Sequence, residues 1–301
     1  MHELQFYLDE FAKDDLIYIF LPIFFLALLV EIIIDRKRNL GLFEKKDTVA
    51  SLWMAFFVVV VDVLPKLAAL VGLFWLHSIS PFADIIQRQW WAWVLLFVLD
   101  DFTYYCMHRA NHEVRLLWAG HVSHHSAIRM NFATALRQGV TERVHKYLFW
   151  LPLPLLGFDP LMIFTMMSLN LFYQFWLHTE LIHKLPGWFE AVFNTPSHHR
   201  VHHASNIRYL DCNHAGVLIV WDRLLGTFSR EVDGEPPVYG LTRNLTSLNP
   251  FHVATHEYAS IFADVKRASE FKDKLSYIFK APGWSHDSED KRAKVLRARL
   301  S

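Results

Sequence analysis

Apolar residues along this chain gather into runs long enough to cross a membrane. Residues 17–34, IYIFLPIFFLALLVEIII, contain one acid, Glu31. Residues 50–76 form a second run, interrupted by Asp62 and Pro65. Residues 90–107, WWAWVLLFVLDDFTYYCM, form a third, with tryptophans at one end and Tyr104 and Tyr105 at the other, as in the aromatic belts of membrane interfaces. A hydrocarbon core of ~30 Å needs about 20 such residues. Two shorter runs follow, 147–157 and 160–177, separated by GFDP. They predict a pair of helices, either a hairpin that dips into the bilayer and returns or a buried soluble pair. The expected fold is all-α. It has about four transmembrane or re-entrant units, near 17–34, 50–76, 90–107 and 147–177, and a histidine-rich helical cap over 108–145 and 178–230.

Charge orients these runs. The loop 35–49 holds Arg36, Lys37, Arg38, Lys45 and Lys46, the segment before residue 17 one lysine against five acids, and the loop 77–89 one arginine. The positive-inside rule puts 35–49 in the cytoplasm and the N-terminus outside. The third span then exits on the cytoplasmic side at residue 108, and a hairpin over 147–177 starts and ends there too. The acidic N-terminus, MHELQFYLDEFAKDDL, lacks the basic region of a signal peptide.

Composition agrees. The chain is 53% hydrophobic and 15% aromatic, more apolar than an ordinary soluble domain. Its 30 basic and 30 acidic residues cancel, which gives no global charge for nucleic acid. Two cysteines, Cys106 and Cys212, make no disulfide framework. The segment 1–260 reads as one membrane-embedded unit. The tail 261–301 is charged and partly amphipathic, suited to the membrane surface or to a solvated helix.

Histidine is the anomaly, with 18 copies in 301 residues. Three clusters stand out: His108-Arg-Ala-Asn-His112, His121-Val-Ser-His124-His125 and His199-Arg-Val-His202-His203. His178 stands between them, in QFWLHTE at the end of the last apolar run. Positions i, i+3 and i+4 share a helix face, so each cluster can aim its imidazoles into one space. All fall on the predicted cytoplasmic face. Neutral imidazole is the commonest metal ligand and suits iron, zinc, copper and nickel. Nine imidazoles are too many for one metal but fit two, at four or five ligands each. His145, His183, His198 and His214 lie near enough to add a ligand or to support one. His2, His77, His252, His256 and His286 are read as ordinary histidines. Asp101, Tyr105, His108 and His112 follow at helical steps, so Asp101 is expected to orient a ligand ring, as carboxylates behind metal-bound histidines do. Glu113, beside His112, is a candidate for a similar role.

HRANH, HVSHH and HRVHH resemble the three histidine boxes of the fatty acid hydroxylase/sterol desaturase superfamily of integral membrane di-iron oxygenases. The words NHEVRLLWAGHVSHHS, NFATALRQG, QFWLHTELI, NTPSHHRVHH, LIVWDRLLGTF and VYGLT are similar to its alkylglycerol monooxygenase branch. The resemblance runs from about Asp101 to Phe228, weakly to about residue 253. It implies that His108, His112, His121, His124, His125, His178, His199, His202 and His203 hold two iron ions, which zinc can replace in a purified sample. The pattern departs at Asn213-His214-Ala215, where the family usually has Asn-Tyr-Gly or Asn-Tyr-Ala. The animal members of the branch also continue into further hydrophobic segments.

The implied activity is hydroxylation of an aliphatic C–H bond of a membrane lipid by O2 and two external electrons, with cleavage of an alkylglycerol ether as one outcome. A fatty acyl chain, a sterol or an aminolipid is the alternative substrate, and desaturation the alternative reaction. The chain shows no flavin, haem or iron–sulfur motif, so the electrons come from a donor protein or a diffusible reductant; the resemblance implies a tetrahydropterin. Arg129, Asn131, Arg137, Gln138, Arg200 and Arg208 are candidates for meeting the lipid head group. A zinc hydrolase or non-catalytic metal-binding protein is the rival of another class, but His112-Glu113 is followed by Val-Arg-Leu, so HExxH is absent. A proton-relaying transporter is disfavoured by histidines that lie beyond the span ends.

Overall fold

The computed structural model describes residues 16–300; the acidic segment 1–15 and Ser301 lie outside them. The described chain is helical, with isolated bridges such as Phe193 to Leu218 and no named strand. Helix α1, Ile17–Arg38, ends in a basic triplet that suits the negative end of the helix dipole, and Asn39 turns the chain in the left-handed region. Helix α2, Lys45–Ser78, starts where the Glu44 carboxylate accepts from the Asp47 amide at 2.6 Å. Its 34 residues measure roughly 51 Å at 1.5 Å each. Phe56, Val59, Val60, Val63 and Leu64 stand outward from it.

Among the described residues, α2 alone is long and apolar enough to cross a membrane. The four predicted units differ in kind. Glu31, Asp35 and Arg36 crowd the last turns of α1. Helix α3, Trp90–Glu113, carries Asp100 and Asp101 and runs straight into the first histidine cluster. The first limb of the expected hairpin is a series of short turns, Arg143–Lys146, Tyr147–Trp150 and Pro152–Leu155. Two prolines break it, and Gly157 closes it at φ 95°, where a side chain would strike the Phe82 carbonyl. Its apolar residues serve as core: Trp150, Leu153 and Phe158 pack with Leu70, Leu73 and Leu96. The second limb is helix α6, Pro160–Phe175, capped by Asp159.

The cap is built on these helices. Helix α4, Arg115–His125, follows α3 after one extended residue, Val114. Helix α5, Phe132–Leu136, opens on a capping box made by Asn131 and Thr134. Helix α7, Pro196–His202, carries the third cluster, and helix α8, Val220–Leu225, ends at Gly226 in the left-handed region. Helix α9, Pro250–Arg267, runs through residue 260 and packs on α4, where Arg115 meets Glu257 and Asp264 at 2.7 Å and Ser260 at 2.9 Å. Helix α10, Phe271–Phe279, and helix α11, Ala293–Ala298, complete the described chain.

Buried polar groups tie α1 and α2 to the cap. Glu31 accepts from the Phe132 amide at 2.6 Å and from the Thr179 hydroxyl. Arg137 is fully buried and donates to the Asp47 carboxylate and carbonyl, Ser51 and Ser126. Removing one partner of such a pair leaves the other charge uncompensated. Asp47→Ala is therefore expected to cost about 3–5 kcal/mol, read as a lower midpoint of unfolding in detergent; a shift below about 1 kcal/mol, the value of an exposed pair, would refute it.

Candidate metal centre

Helical geometry sorts the histidines into two groups. The potential ligand atoms of His108, His112, His121, His125 and His202 lie within 4.8 Å of one another, as do those of His124, His178, His199 and His203. At 100° per residue, positions i and i+4 differ by about 40°, whereas i+3 lies about 100° from i+4. In the second cluster His121 and His125 therefore face one group and His124 the other. The third cluster reverses this: His199 and His203 join His124, while His202 joins the first group. His108 and His112, at i and i+4 on α3, complete the set of five. His178, in the turn just past α6, completes the set of four. The groups adjoin, with the His125 and His203 rings stacked 4.5 Å apart.

All nine rings are buried. The outer nitrogens of six of them fix their tautomers, while His199 Nδ1 is buried without a partner. His108 Nδ1 lies 2.8 Å from the His214 carbonyl, His124 Nδ1 2.9 Å from that of Arg137, His178 Nδ1 3.0 Å from that of Gln174 and His202 Nδ1 2.9 Å from that of Cys212. A carbonyl only accepts, so each Nδ1 carries the proton and each Nε2 an open lone pair. Glu142 Oε2 does the same for His121 at 2.8 Å, and Asp211 Oδ1 for His112 at 3.0 Å. Yet His108 Nε2 faces His121 Nε2 at 3.1 Å, and His124 Nε2 faces His178 Nε2 at 3.3 Å. With both protons engaged elsewhere, neither contact is a hydrogen bond. Two lone pairs oppose each other, and a cation between them turns repulsion into coordination. His112 Nε2 and His202 Nε2 are buried without any partner. The donor set thus fits two cations, with six of the nine rings already oriented from behind.

Electrostatics points the same way. Burial first, and neighbouring rings after it, hold His108, His112, His124, His125, His199, His202 and His203 well below 6.5. Burial takes His178 down to about 4. These rings are neutral at neutral pH, the form that binds metal. Burial pushes the Glu142 carboxyl up, but His121, Arg143 and Lys146 outweigh it and hold the group well below the usual carboxylate range.

Several sequence expectations change here. Asp101 touches no histidine. It accepts from the Val217 and Leu218 amides at 2.7 and 2.9 Å, from Trp221 at 2.9 Å and from Asn170 at 3.3 Å, and so fixes the loop leading into α8. Gly216 lies under it because a side chain there would strike Asn170 and Asp101. Glu113 turns outward to Arg109 at 2.8 Å, away from the rings. His183 is exposed and outside both groups. His198 is buried but packs on Phe228. His145 bonds Asn111 at 2.9 Å. His214 packs 4.9 Å from the His112 ring, outside the group of five, with its Nδ1 unpartnered. Arg137, Asn131 and Arg200 are buried in structural bonds and unavailable to a head group; Arg200 holds Glu231 and two carbonyls. Gln138 bonds Ala135 and Arg143, and Arg208 pairs with Glu235. Sequence reasoning missed Glu142, Asp211 and Trp118, whose ring covers His112 and His125 at 5.0 and 5.4 Å. The first two come from other segments, with no spacing to the clusters that could announce them.

Two outcomes follow. Glu142→Gln is expected to lower metal affinity about 10–100-fold, as loss of such a partner generally does; equilibrium titration against a chelator checks it, and unchanged affinity refutes it. In the metal-free protein these eight rings have folded-state values below the 6.5 of the unfolded chain. Between those values the unfolded state binds more protons, so stability falls as pH drops below about 6.5. Unfolding midpoints of metal-free protein at pH 7.5 and 5.5 should differ in that direction, and equal midpoints would contradict the burial of neutral rings.

Comparison with known proteins adds an independent view. Residues 93–227 match the fatty acid hydroxylase family. The chain is 46% identical to alkylglycerol monooxygenase of Homo sapiens over 195 residues, 64% of this chain and 43% of that protein. It is 38% identical to that of Xenopus tropicalis over 261 residues, 87% of this chain and 58% of that protein. It is 37% identical to that of Danio rerio over 265 residues, 88% of this chain and 58% of that protein. The chain therefore spans about half the length of these relatives. No solved structure matches it. The matched segment runs from α3 to just past α8 and contains all nine grouped histidines, and the chain belongs to the fatty acid hydroxylase family.

Proposed function

We propose that this chain is a membrane-bound, O2-dependent lipid monooxygenase with two iron ions, one in each histidine group. The observation that carries the reading is the division of nine buried imidazoles into adjoining sets of five and four, in which opposed Nε2 lone pairs meet at 3.1 and 3.3 Å. Similarity to alkylglycerol monooxygenases over most of the chain supports an ether lipid as substrate. Bound iron supplies reduction of O2 by two external electrons and the oxidant that functionalises an unactivated C–H bond. Oxygen inserted beside the ether oxygen gives a hemiacetal, which collapses to a fatty aldehyde and a glycerol. The chain's own part is to hold the rings oriented, through Glu142, Asp211 and four backbone carbonyls, and to bury them away from water. Trp118 closes one side of the five-membered group.

In this reading α1, α2, residues 90–107 of α3 and the segment 147–177 form the membrane-embedded part, and the centre lies on the cytoplasmic face, as loop charge suggests. The electrons come from a donor protein or a diffusible reductant, with a tetrahydropterin as the first to test.

The deciding experiment purifies the protein anaerobically, counts metal, and supplies alkylglycerol or acyl lipid with O2 and reductant. Two iron ions per chain, O2 uptake and release of fatty aldehyde from the ether lipid are expected. Untouched ether lipid with oxygenated acyl lipid would move the substrate to the wider family. One metal per chain, or zinc without O2 uptake, would sink the oxygenase reading.

A further inference from the structure

The loop that joins α7 to α8 orients three of the five rings in one group. Asp211 Oδ1 takes His112 Nδ1, the Cys212 carbonyl takes His202 Nδ1 and the His214 carbonyl takes His108 Nδ1. Two residues of this loop, Asp211 and Asn213, sit at φ 51° and 58°, a region that residues other than glycine hold only when their surroundings enforce it. The second half of the loop has its own clamps. Asn213 bonds the His198 and Ser229 carbonyls, and Asp222 accepts from the His214 and Ala215 amides at 2.8 Å each. The first half, 210–212, is clamped from elsewhere. Arg297, on α11, donates to the Leu210 carbonyl, to the Asp211 carbonyl at 3.3 Å and to Cys212 Sγ at 2.8 Å.

We infer that Arg297 is a positioning residue for the five-imidazole group, acting through the Leu210–Cys212 backbone on His112 and His202. The inference rests on the reading that both groups hold metal. It assigns a role in the centre to a segment far outside the matched 93–227. It is also selective. In the group of four, His124 and His178 are oriented by the Arg137 and Gln174 carbonyls, on elements that α11 does not grip through Arg297. His112 Nε2 and His202 Nε2, both buried and unpartnered, are the atoms whose aim the loop sets.

The test is iron content of full-length protein, bound anaerobically and then challenged with a graded chelator, with Mössbauer spectra of iron-57 protein as a second readout. Wild type is expected to hold two ions. Arg297→Ala should hold one of them about 10–100-fold more weakly, with one spectral component altered and the other kept. Arg297→Lys, which still donates to the carbonyls, should restore most of the loss. Two ions of unchanged chelator resistance in Arg297→Ala would overturn the inference. Equal weakening of both ions would also overturn it, because that is what general destabilisation produces. If Arg297→Ala does not accumulate, Arg297→Gln is read by the same criteria, with a smaller selective loss expected. Wild type binding fewer than two ions would overturn the two-metal reading itself and this inference with it, and is seen before any variant is made.

Discussion

Buried imidazoles that point lone pairs at one another from 3.1 and 3.3 Å repel, and burial leaves the repulsion unscreened. The rest of the cap answers that constraint. Each oriented ring must be held from behind by an acceptor, or it would turn and share a proton with its neighbour. Backbone carbonyls of Arg137, Gln174, Cys212 and His214 and the carboxylates of Glu142 and Asp211 do this, and they come from segments spread over more than 70 residues. A cation in each group changes the sign of the interaction, so metal binding and cap folding contribute to the same free energy.

The nine-histidine count pointed to two groups, but the way each box divides was not foreseen. Each cluster was expected to aim its rings into one space, whereas helical pitch sends His121, His125 and His202 to one group and His124, His199 and His203 to the other. Their supports were not legible. Glu142 sits 21 residues from His121, and Asp211 sits 99 from His112, so only the folded chain joins them. Asp101 misled for a related reason. It lies at helical steps from His108, but its carboxylate meets amides and an indole from 217–221, more than 100 residues away. Apolar length was read correctly as helix for α1, α2, α3 and α6. It failed over 147–157, where prolines and Gly157 divide an apolar run into turns that fill the core.

The C-terminal helices brace the centre from outside the matched family segment. Arg115, at the start of α4, is gripped by α9, and its amide donates to the Lys280 carbonyl beyond α10. The helix that carries the second cluster is thus fixed at its first residue, one step after the extended break at Val114. Of the tail read from composition as charged and partly amphipathic, two charges, Asp264 and Arg297, bond to the cap.

Helix α2 also sets a height. At roughly 51 Å it exceeds a hydrocarbon core of ~30 Å. Its Lys45 end reaches the cap, where Asp47 and Ser51 hold Arg137, whose carbonyl in turn sets His124. On the membrane reading, a single helix links the depth of the bilayer to the position of the metals. A lipid anchored by its head group then presents only the carbon that lies level with them. The choice of which bond is attacked becomes a matter of elevation as well as of pocket shape, and the gauge is a helix that never touches the reacting atoms.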